Sequence, residues 1–353
     1  MMVRKISEIE PIKWNNGEVV WLNVARLPWE EEYKHSSNYE DIARAIEVME
    51  IRGAPAIGVA AAYGIAVAVY NYNGTTQELL EVANKASERL KRTRPTAVNL
   101  FWAVERMMNK GNYLYRDNVN PESFKSSLLE EAHKIKEEDI QNNKRMGEIG
   151  SSVIKDGDVI LTHCNTGSLA TAGFGTALGV IRSAWLQGKD IQVIATETRP
   201  LLQGARLTIW ELWKDGIPSK LITDNMAGFL MQKGLISKVI LGADRILRNG
   251  HVINKIGTYS LAVLAEHHGI EFYVAAPTST IDIQTSLNDV IIESRKSEEV
   301  KNVMGKLTIT VEEADAMNFA FDITPPELVT GIITEKGIAK YPFKELEKLK
   351  KTD

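Results

Sequence analysis

Apolar and polar positions along this chain follow two rhythms, and the change between them divides it. Through the first 150 residues the rhythm is mostly helical. Short alternating stretches at residues 5–14 and 19–24 predict a small sheet, and helices are predicted over 41–49 and 55–70. A third helix is predicted from Thr96 to about Lys110. Pro55 suits a first helical turn, where its missing N–H is not needed. From Asn120-Pro121-Glu122 onward, Phe124, Leu128, Ala132, Ile135, Met146, Ile149 and Val153 recur along one apolar face, which predicts a long connecting helix over 121–150. Its charged positions, Glu130-Glu131 and Glu137-Glu138-Asp139, read as a solvated face.

After Asp156-Gly157-Asp158 the rhythm changes. Short β-branched runs at 159–162, 191–196, 238–241 and 272–275 are separated by helical stretches around 170–186, 201–214, 226–233 and 258–268. Strand and helix in alternation are the signature of a parallel sheet, so the fold class is α/β. The division is a small N-terminal domain over 1–120, the connecting helix over 121–150, and a parallel-sheet domain over 151–353.

Composition narrows the partners. With 44% hydrophobic residues, 25% charged residues and a net charge of -4, the chain has the make-up of an ordinary globular protein. The 42 Lys+Arg stand against 46 Asp+Glu, with no basic run longer than Lys91-Arg92-Thr93-Arg94, so no nucleic-acid footprint is expected and small molecules are favoured. A single cysteine allows no internal disulfide, and Met1-Met2-Val3-Arg4-Lys5-Ile6 leads into charge instead of an apolar signal core, so the expected compartment is the cytoplasm. The uncharged stretch Ala54–Tyr70 consists largely of Ala, Gly and Val; it falls short of the about 20 strongly apolar residues a membrane span needs and reads as a close-packed internal helix.

In a doubly wound sheet, ligands bind outside the carboxyl ends of the strands. Cys164 follows the first strand, Glu197 the second, and Asp244 the third through Gly242-Ala243, so the three can converge. Glu197 with Arg199 reads equally as a structural ion pair, and Asp244 equally as a turn aspartate. Thr166-Gly167-Ser168, leading into an alanine-rich helix, offers backbone N–H groups that suit a phosphate or a developing oxyanion. His163 is expected on the opposite face of its strand as a buried structural histidine. Arg52 beside Gly53-Ala54-Pro55, and Arg94 before Pro95-Thr96, each join a cation to a helix start, an arrangement that suits a phosphate clamp. Gln203, Asn254 and Lys255 are further donors. Gly173-Phe174-Gly175 with Gly179 mimics a dinucleotide fingerprint, but it lies about ten residues after its strand, with Gly173 expected inside the helix, so no nucleotide cofactor follows. Six scattered histidines, two of them adjacent at His267-His268, give no metal-ligand spacing.

These residues resemble the 5-methylthioribose-1-phosphate isomerase family, which is related to the regulatory subunits of translation initiation factor 2B. The resemblance runs through Arg52-Gly53-Ala54-Pro55-Ala56-Ile57-Gly58, Arg94-Pro95-Thr96-Ala97-Val98-Asn99-Leu100, His163-Cys164-Asn165-Thr166-Gly167, Glu197-Thr198-Arg199-Pro200 with Gln203-Gly204-Ala205-Arg206, Gly242-Ala243-Asp244-Arg245 and Asn254-Lys255-Ile256-Gly257-Thr258. It implies a small mixed α+β N-terminal domain joined by a long helix to a Rossmann-like catalytic domain. It further implies a cytoplasmic homodimer of methionine salvage, isomerising an aldose phosphate without metal or cofactor. Cys164 and Asp244 match the family's catalytic pair, and Arg52, Gly53, Ala54, Arg94, Gln203, Asn254 and Lys255 match its substrate-binding positions. The chain departs from the pattern at His251, where aspartate is common, and at Ser294, where a second glutamate is usual. Two alternatives accompany the resemblance. A ribose-1,5-bisphosphate isomerase would need a second phosphate site where Trp29, Phe101 and Trp102 could otherwise wall an apolar group; a non-enzymatic initiation-factor-type regulator would need neither Cys164 nor Asp244.

Overall fold

A computed structural model describes residues 4–94 and 97–351. Residues Glu8–Asn143 with Ser168–Gly175 form one unit; Lys144–Gly167 and Thr176–Asp353, with the N-terminal segment, form the other. In the first unit, strands β1 (Ile12–Asn15), β2 (Glu18–Leu22) and β3 (Tyr33–Ser36) make a small antiparallel sheet, of which β3 had no signal in the sequence pattern. Helices α1 (Tyr39–Glu47), α2 (Ala54–Tyr70), α3 (Thr76–Lys91), α4 (Val98–Arg116) and α5 (Pro121–Gly150) follow. The expected start of α4 at Thr96 lies outside the described residues.

Helix α2 is buried along almost its whole length, and its small residues let neighbours approach closely. A Cβ on Gly58 would stand 2.8 Å from the Asn99 carbonyl oxygen, so the first turn of α4 lies directly against α2. The apolar stripe of α5 packs as its spacing requires: Phe124, Leu128 and Ala132 are wholly buried in the core of this unit, and Ile135 nearly so. Its charged face is more than solvated surface. Arg106 pairs with Glu131 at 2.6 Å and with Glu138, and the Asp139 carboxylate accepts the Ala172 N–H at 2.7 Å.

The second unit is built on a seven-stranded sheet. Along the chain come β4 (Val159–Thr162), helix α6 (Ala177–Leu186), β5 (Gln192–Thr196), helix α7 (Ile209–Lys214), β6 (Ser219–Ile222), helix α8 (Ala227–Gln232), β7 (Lys238–Leu241), β8 (Arg245–Leu247), β9 (Val252–Lys255), helix α9 (Thr258–His267) and β10 (Glu271–Ala275). They are followed by β11 (Ile281–Asp282), helix α10 (Glu298–Lys301), β12 (Asn302–Val303), β13 (Leu307–Thr308), β14 (Phe321–Thr324), β15 (Gly331–Thr334), β16 (Gly337–Lys340) and helix α11 (Leu346–Lys351). The sheet order is β16-β15-β10-β7-β4-β5-β6, parallel throughout except for β16 at the edge. Four short strands, β11-β8-β9-β14, form a second sheet.

Period-2 alternation sorts the main sheet's side chains between two cores. Leu161, Ile194, Val239, Phe272 and Val274 pack on one face with α8 and α9, while Ile160, Val193, Ile240, Tyr273 and Ala275 pack on the other with α6 and α7. Both faces are covered, which is why the strands read as nearly continuous apolar runs. Among the described residues no helix is long and apolar enough to cross a membrane.

Two helical expectations change. The stretch predicted from 170 is a single 3₁₀ turn over Ser168–Ala170 followed by bends, and α6 starts only at Ala177. Gly173 therefore lies in a loop. Thr171 donates its hydroxyl to the Gly173 carbonyl and accepts the Gly173 N–H, local bonds that compete with a helix, and Phe174 and Gly175 take left-handed backbone at φ 68° and 86°. Likewise, the stretch predicted over 201–214 is a π-helical turn, Gly204–Thr208, leading into the short α7.

The packing of α5 sets a stability prediction. Phe124→Ala should destabilise the protein by about 3–5 kcal/mol, read from the midpoint of urea unfolding. A change below about 1 kcal/mol would show that the stripe does not carry the core.

Candidate active site

The order of the parallel strands across the main sheet, β15-β10-β7-β4-β5-β6, reverses between β4 and β7, which pair directly through Ile160–Lys238 and Leu161–Val239. A crevice opens at the carboxyl ends of such a pair, because the connections leave in opposite directions. Cys164 lies two residues beyond β4, and Asp244 three beyond β7, where its N–H donates to the Ile253 carbonyl of β9. The two loops abut: a Cβ on Gly242 would stand 2.8 Å from Cγ2 of Thr166. The glycine before Ala243-Asp244 is thus required by close approach.

Backbone strain is concentrated here. Cys164 has φ 61°, Thr198 φ 63° and Leu202 φ 56°. Left-handed backbone is costly for side chains other than glycine, most of all for β-branched Thr198, at about 1–3 kcal/mol each. Surrounding bonds hold it. The Cys164 N–H donates to Thr198 Oγ1 at 2.9 Å, and the Cys164 carbonyl accepts the Thr208 hydroxyl at 2.6 Å. The Asp224 carboxylate accepts the N–H groups of Thr198 and Arg199, both at 2.7 Å. Asn165 donates its amide to Glu211 at 2.8 Å; Glu211 is wholly buried and bonds the buried Arg182 guanidinium at 2.9 Å, which also reaches Asp215 at 2.7 Å. Gly167 lies flat against that carboxylate, where a Cβ would sit 2.2 Å from Glu211 Oε2.

Gln203, buried just ahead of the π-helical turn, has a carbonyl oxygen with no hydrogen-bond partner among the described residues. Gly204 beside it packs on the end of β5, with a virtual Cβ 1.8 Å from the Thr196 carbonyl oxygen. Asn254 and Lys255 close β9; Asn254 donates to the Thr258 hydroxyl at 2.9 Å, and the Lys255 ammonium reaches the Ala320 carbonyl at 2.9 Å above the Phe321 ring. Asp322 faces them from β14, accepting the N–H groups of Gly257 and Tyr259 at the start of α9. Burial pushes the Asp322 carboxyl up to about 6, while those N–H groups and Lys255 pull the other way. His163 is 3% exposed with both ring nitrogens bonded, and burial pushes its pKa down, which keeps the ring neutral. The Glu197–Arg199 ion pair considered above does not form: the Arg199 guanidinium donates to the Pro200 and Val300 carbonyls instead.

In the first unit, Arg52, Gly53 and Ala54 lead into α2, and Arg94 leads toward α4, the helix that meets α2 at Gly58. Gly53 has φ 96°, and a Cβ there would stand 2.3 Å from the Ala170 carbonyl oxygen, so only glycine fits. Glu50, two residues ahead of Arg52, is pinned by Trp21 at 3.0 Å and Lys34 at 2.6 Å. The α-helix expected straight after Thr166-Gly167-Ser168 does not form: the 3₁₀ turn Ser168–Ala170 follows, and α6 begins at Ala177. The structure thus gathers Cys164, Gln203, Asp244, Asn254 and Lys255 at one edge of the second unit, and Arg52, Gly53, Ala54 and Arg94 about two neighbouring helix starts in the first. Thr198, Thr208, Arg182, Glu211 and Asp322 were missed. Arg182 did leave a signal, as the lone charge among the residues of Ala177–Leu186, and Glu211 a weaker one, set between Trp210 and Leu212 in Ile209–Lys214.

Comparison with known proteins agrees in scope. Residues 50–341 match the model of the Initiation factor 2 subunit family. A methylthioribose-1-phosphate isomerase of Carboxydothermus hydrogenoformans is 51% identical over 96% of this chain and 97% of its own length. Among solved structures, 5-methylthioribose 1-phosphate isomerase from Pyrococcus horikoshii is 43% identical with a TM-score of 0.91, covering 99% of this chain and 98% of that one. The structure described as translation initiation factor eIF-2B, subunit delta, from A. fulgidus is 48% identical with a TM-score of 0.87, covering 97% and 99%.

Asp322 generates a pH prediction. Its carboxyl binds a proton more tightly folded, at about 6, than at the ordinary value of 3.8, so its contribution to stability is full below about pH 4 and is lost as pH rises through 6. Urea unfolding of the wild type and Asp322→Asn across this range should show the wild type losing stability relative to the variant as pH rises. Parallel curves would contradict the assignment.

Proposed function

The chain belongs to the Initiation factor 2 subunit family, and we propose that it is an isomerase converting 5-methylthioribose-1-phosphate to 5-methylthioribulose-1-phosphate. The observation that carries this reading is the placement of Cys164 and Asp244 just beyond the carboxyl ends of two paired strands where the sheet order reverses. The about 50% identity to named isomerases over nearly the whole chain supports it. In this reading the 151–353 domain is Rossmann-like: numbered along the chain, its six parallel strands stand in the order 3-2-1-4-5-6. The family resemblance supports a cytoplasmic homodimer.

Phosphate on the anomeric oxygen locks the substrate as a ring, so ring opening must be catalysed. Asp244, as general acid, gives a proton to the ring oxygen while the bond from that oxygen to C1 breaks, leaving positive charge shared between C1 and the phosphate-bearing oxygen. The hydrogen on C2 then moves to C1. On a proton route Cys164 takes it from C2 as a proton, its bonding pair forming the C1–C2 double bond of an enol, and a proton is then delivered to C1; on a hydride route it crosses with its electron pair; on either route the C2 hydroxyl loses its proton to the Asp244 carboxylate. Both routes end in the C2 ketone, and substrate and product are isomers, so no external redox partner enters. Arg52 and Arg94, with the backbone of Gly53 and Ala54, bind the phosphate, while Gln203, Asn254 and Lys255 bind sugar oxygens and the remaining charge.

The likeness to a structure named as an initiation-factor subunit favours a second reading, a regulator without chemistry. One assay separates the readings: offer methylthioribose-1-phosphate and ribose-1,5-bisphosphate separately and follow ketose formation. Ketose from the first supports the proposal, ketose from the second alone moves the substrate, and none from either favours the regulator. Cys164→Ser and Asp244→Asn should each lower kcat by about 100-fold or more with the fold intact. Near-normal turnover in either would remove that residue from the pair. In heavy water, solvent deuterium at product C1 requires the proton route.

A further inference from the structure

His163 stands next to Cys164 in the chain, and its ring is 3% exposed. Its two nitrogens reach different parts of the site. Nδ1 is 2.7 Å from Thr196 Oγ1, and Nε2 is 2.9 Å from the Ile256 carbonyl oxygen. A carbonyl only accepts, so Nε2 carries the hydrogen. In the neutral ring Nδ1 then accepts the Thr196 hydroxyl. Thr196 Oγ1 in turn lies 3.2 Å from Thr198 Oγ1, which accepts the Cys164 N–H at 2.9 Å. An unbroken series of bonds thus runs from the left-handed backbone of Cys164 through two buried hydroxyls and one imidazole to the carbonyl following Lys255. Gly257 completes the contact from the far side: at φ 104° it lies against the ring edge, where a Cβ would be 3.1 Å from Cε1.

We propose that His163 is a positioning residue that ties the Cys164 loop to the segment bearing Asn254 and Lys255. Its Nδ1 side sets the Thr196–Thr198 hydroxyls that hold the strained cysteine backbone; its Nε2 side sets the register of Ile256 and hence of the two residues before it. The role of those residues on substrate rests on the isomerase reading. The bonding itself does not.

Two substitutions take the halves apart. Asparagine places an oxygen near the Nδ1 position and cannot reach Ile256; glutamine places an N–H near the Nε2 position and offers Thr196 no acceptor there. For His163→Gln, the rate at which iodoacetamide alkylates Cys164 should change by about 5-fold or more, with kcat reduced and KM for methylthioribose-1-phosphate held within about 2-fold. For His163→Asn, alkylation should stay within about 2-fold while KM rises about 10-fold. Cys164 is the sole cysteine, so a mass shift reports this site alone. Equal changes in the two variants, or unchanged alkylation in His163→Gln, would overturn the proposal. The wild type gives a check that needs no variant to fold: in ¹⁵N spectra of histidine-labelled protein near pH 7 the His163 ring should be neutral with its hydrogen on Nε2, and a cationic or Nδ1–H ring at His163 overturns the proposal. Alkylation and spectra read the loop without turnover, so a protein that converts neither sugar phosphate would sink the isomerase reading while these two measurements still decide the coupling.

Discussion

The Glu211 carboxylate has been taken wholly out of water together with the Arg182 guanidinium, and the loop bearing Cys164 is built against that pair. Removing two charges from water costs several kcal/mol per ion, offset only by good geometry and full hydrogen bonding. Here the remaining valences are used: Asn165 bonds Glu211, Asp215 bonds Arg182, and the N–H and hydroxyl of Ser7 bond Asp215. Gly167 passes so close that any side chain would displace the carboxylate. With the loop fixed on both sides of Asn165, the unfavourable φ of Cys164 persists because no relaxed alternative keeps these bonds.

The sheet does the coarse positioning and the strained loops the fine. Strands buried on both faces are rigid, and the reversal of their order leaves one pair of carboxyl ends uncovered by a crossover. Two residues past β4 the chain turns sharply at Cys164, and two past β5 at Thr198, so the hydroxyl of one turn can hold the backbone N–H of the other. A side chain set on such a turn has little freedom left to lose on meeting a ligand.

Much of this was legible in the chain. The small-residue run Ala54–Tyr70 could only be a packed helix, and the β-branched runs marked β4, β5, β7 and β10 because burial on both faces leaves no other composition. Short, mixed strands such as β3 and β8 left no pattern, since pairing and not periodicity defines them. Gly173 was misplaced because alanine-rich sequence favours helix, while Thr171 and left-handed Phe174 and Gly175 stop it locally. At the candidate site, the placement of Cys164 and Asp244 just beyond two strand ends was readable from the strand pattern. Their supports were not: Thr198 lies 34 residues from Cys164, Thr208 lies 44, and Glu211 lies 46 from Asn165, separations that no local spacing encodes.

Cys164 and Asp244 are proposed to act as one unit on one substrate, and the cycle of Cys164→Ser, Asp244→Asn and the double variant tests that most directly. Groups that act as a unit are strongly non-additive. The double variant should have a kcat/KM within about threefold of the weaker single variant. Losses that multiply would mean two independent contributions and would contradict it.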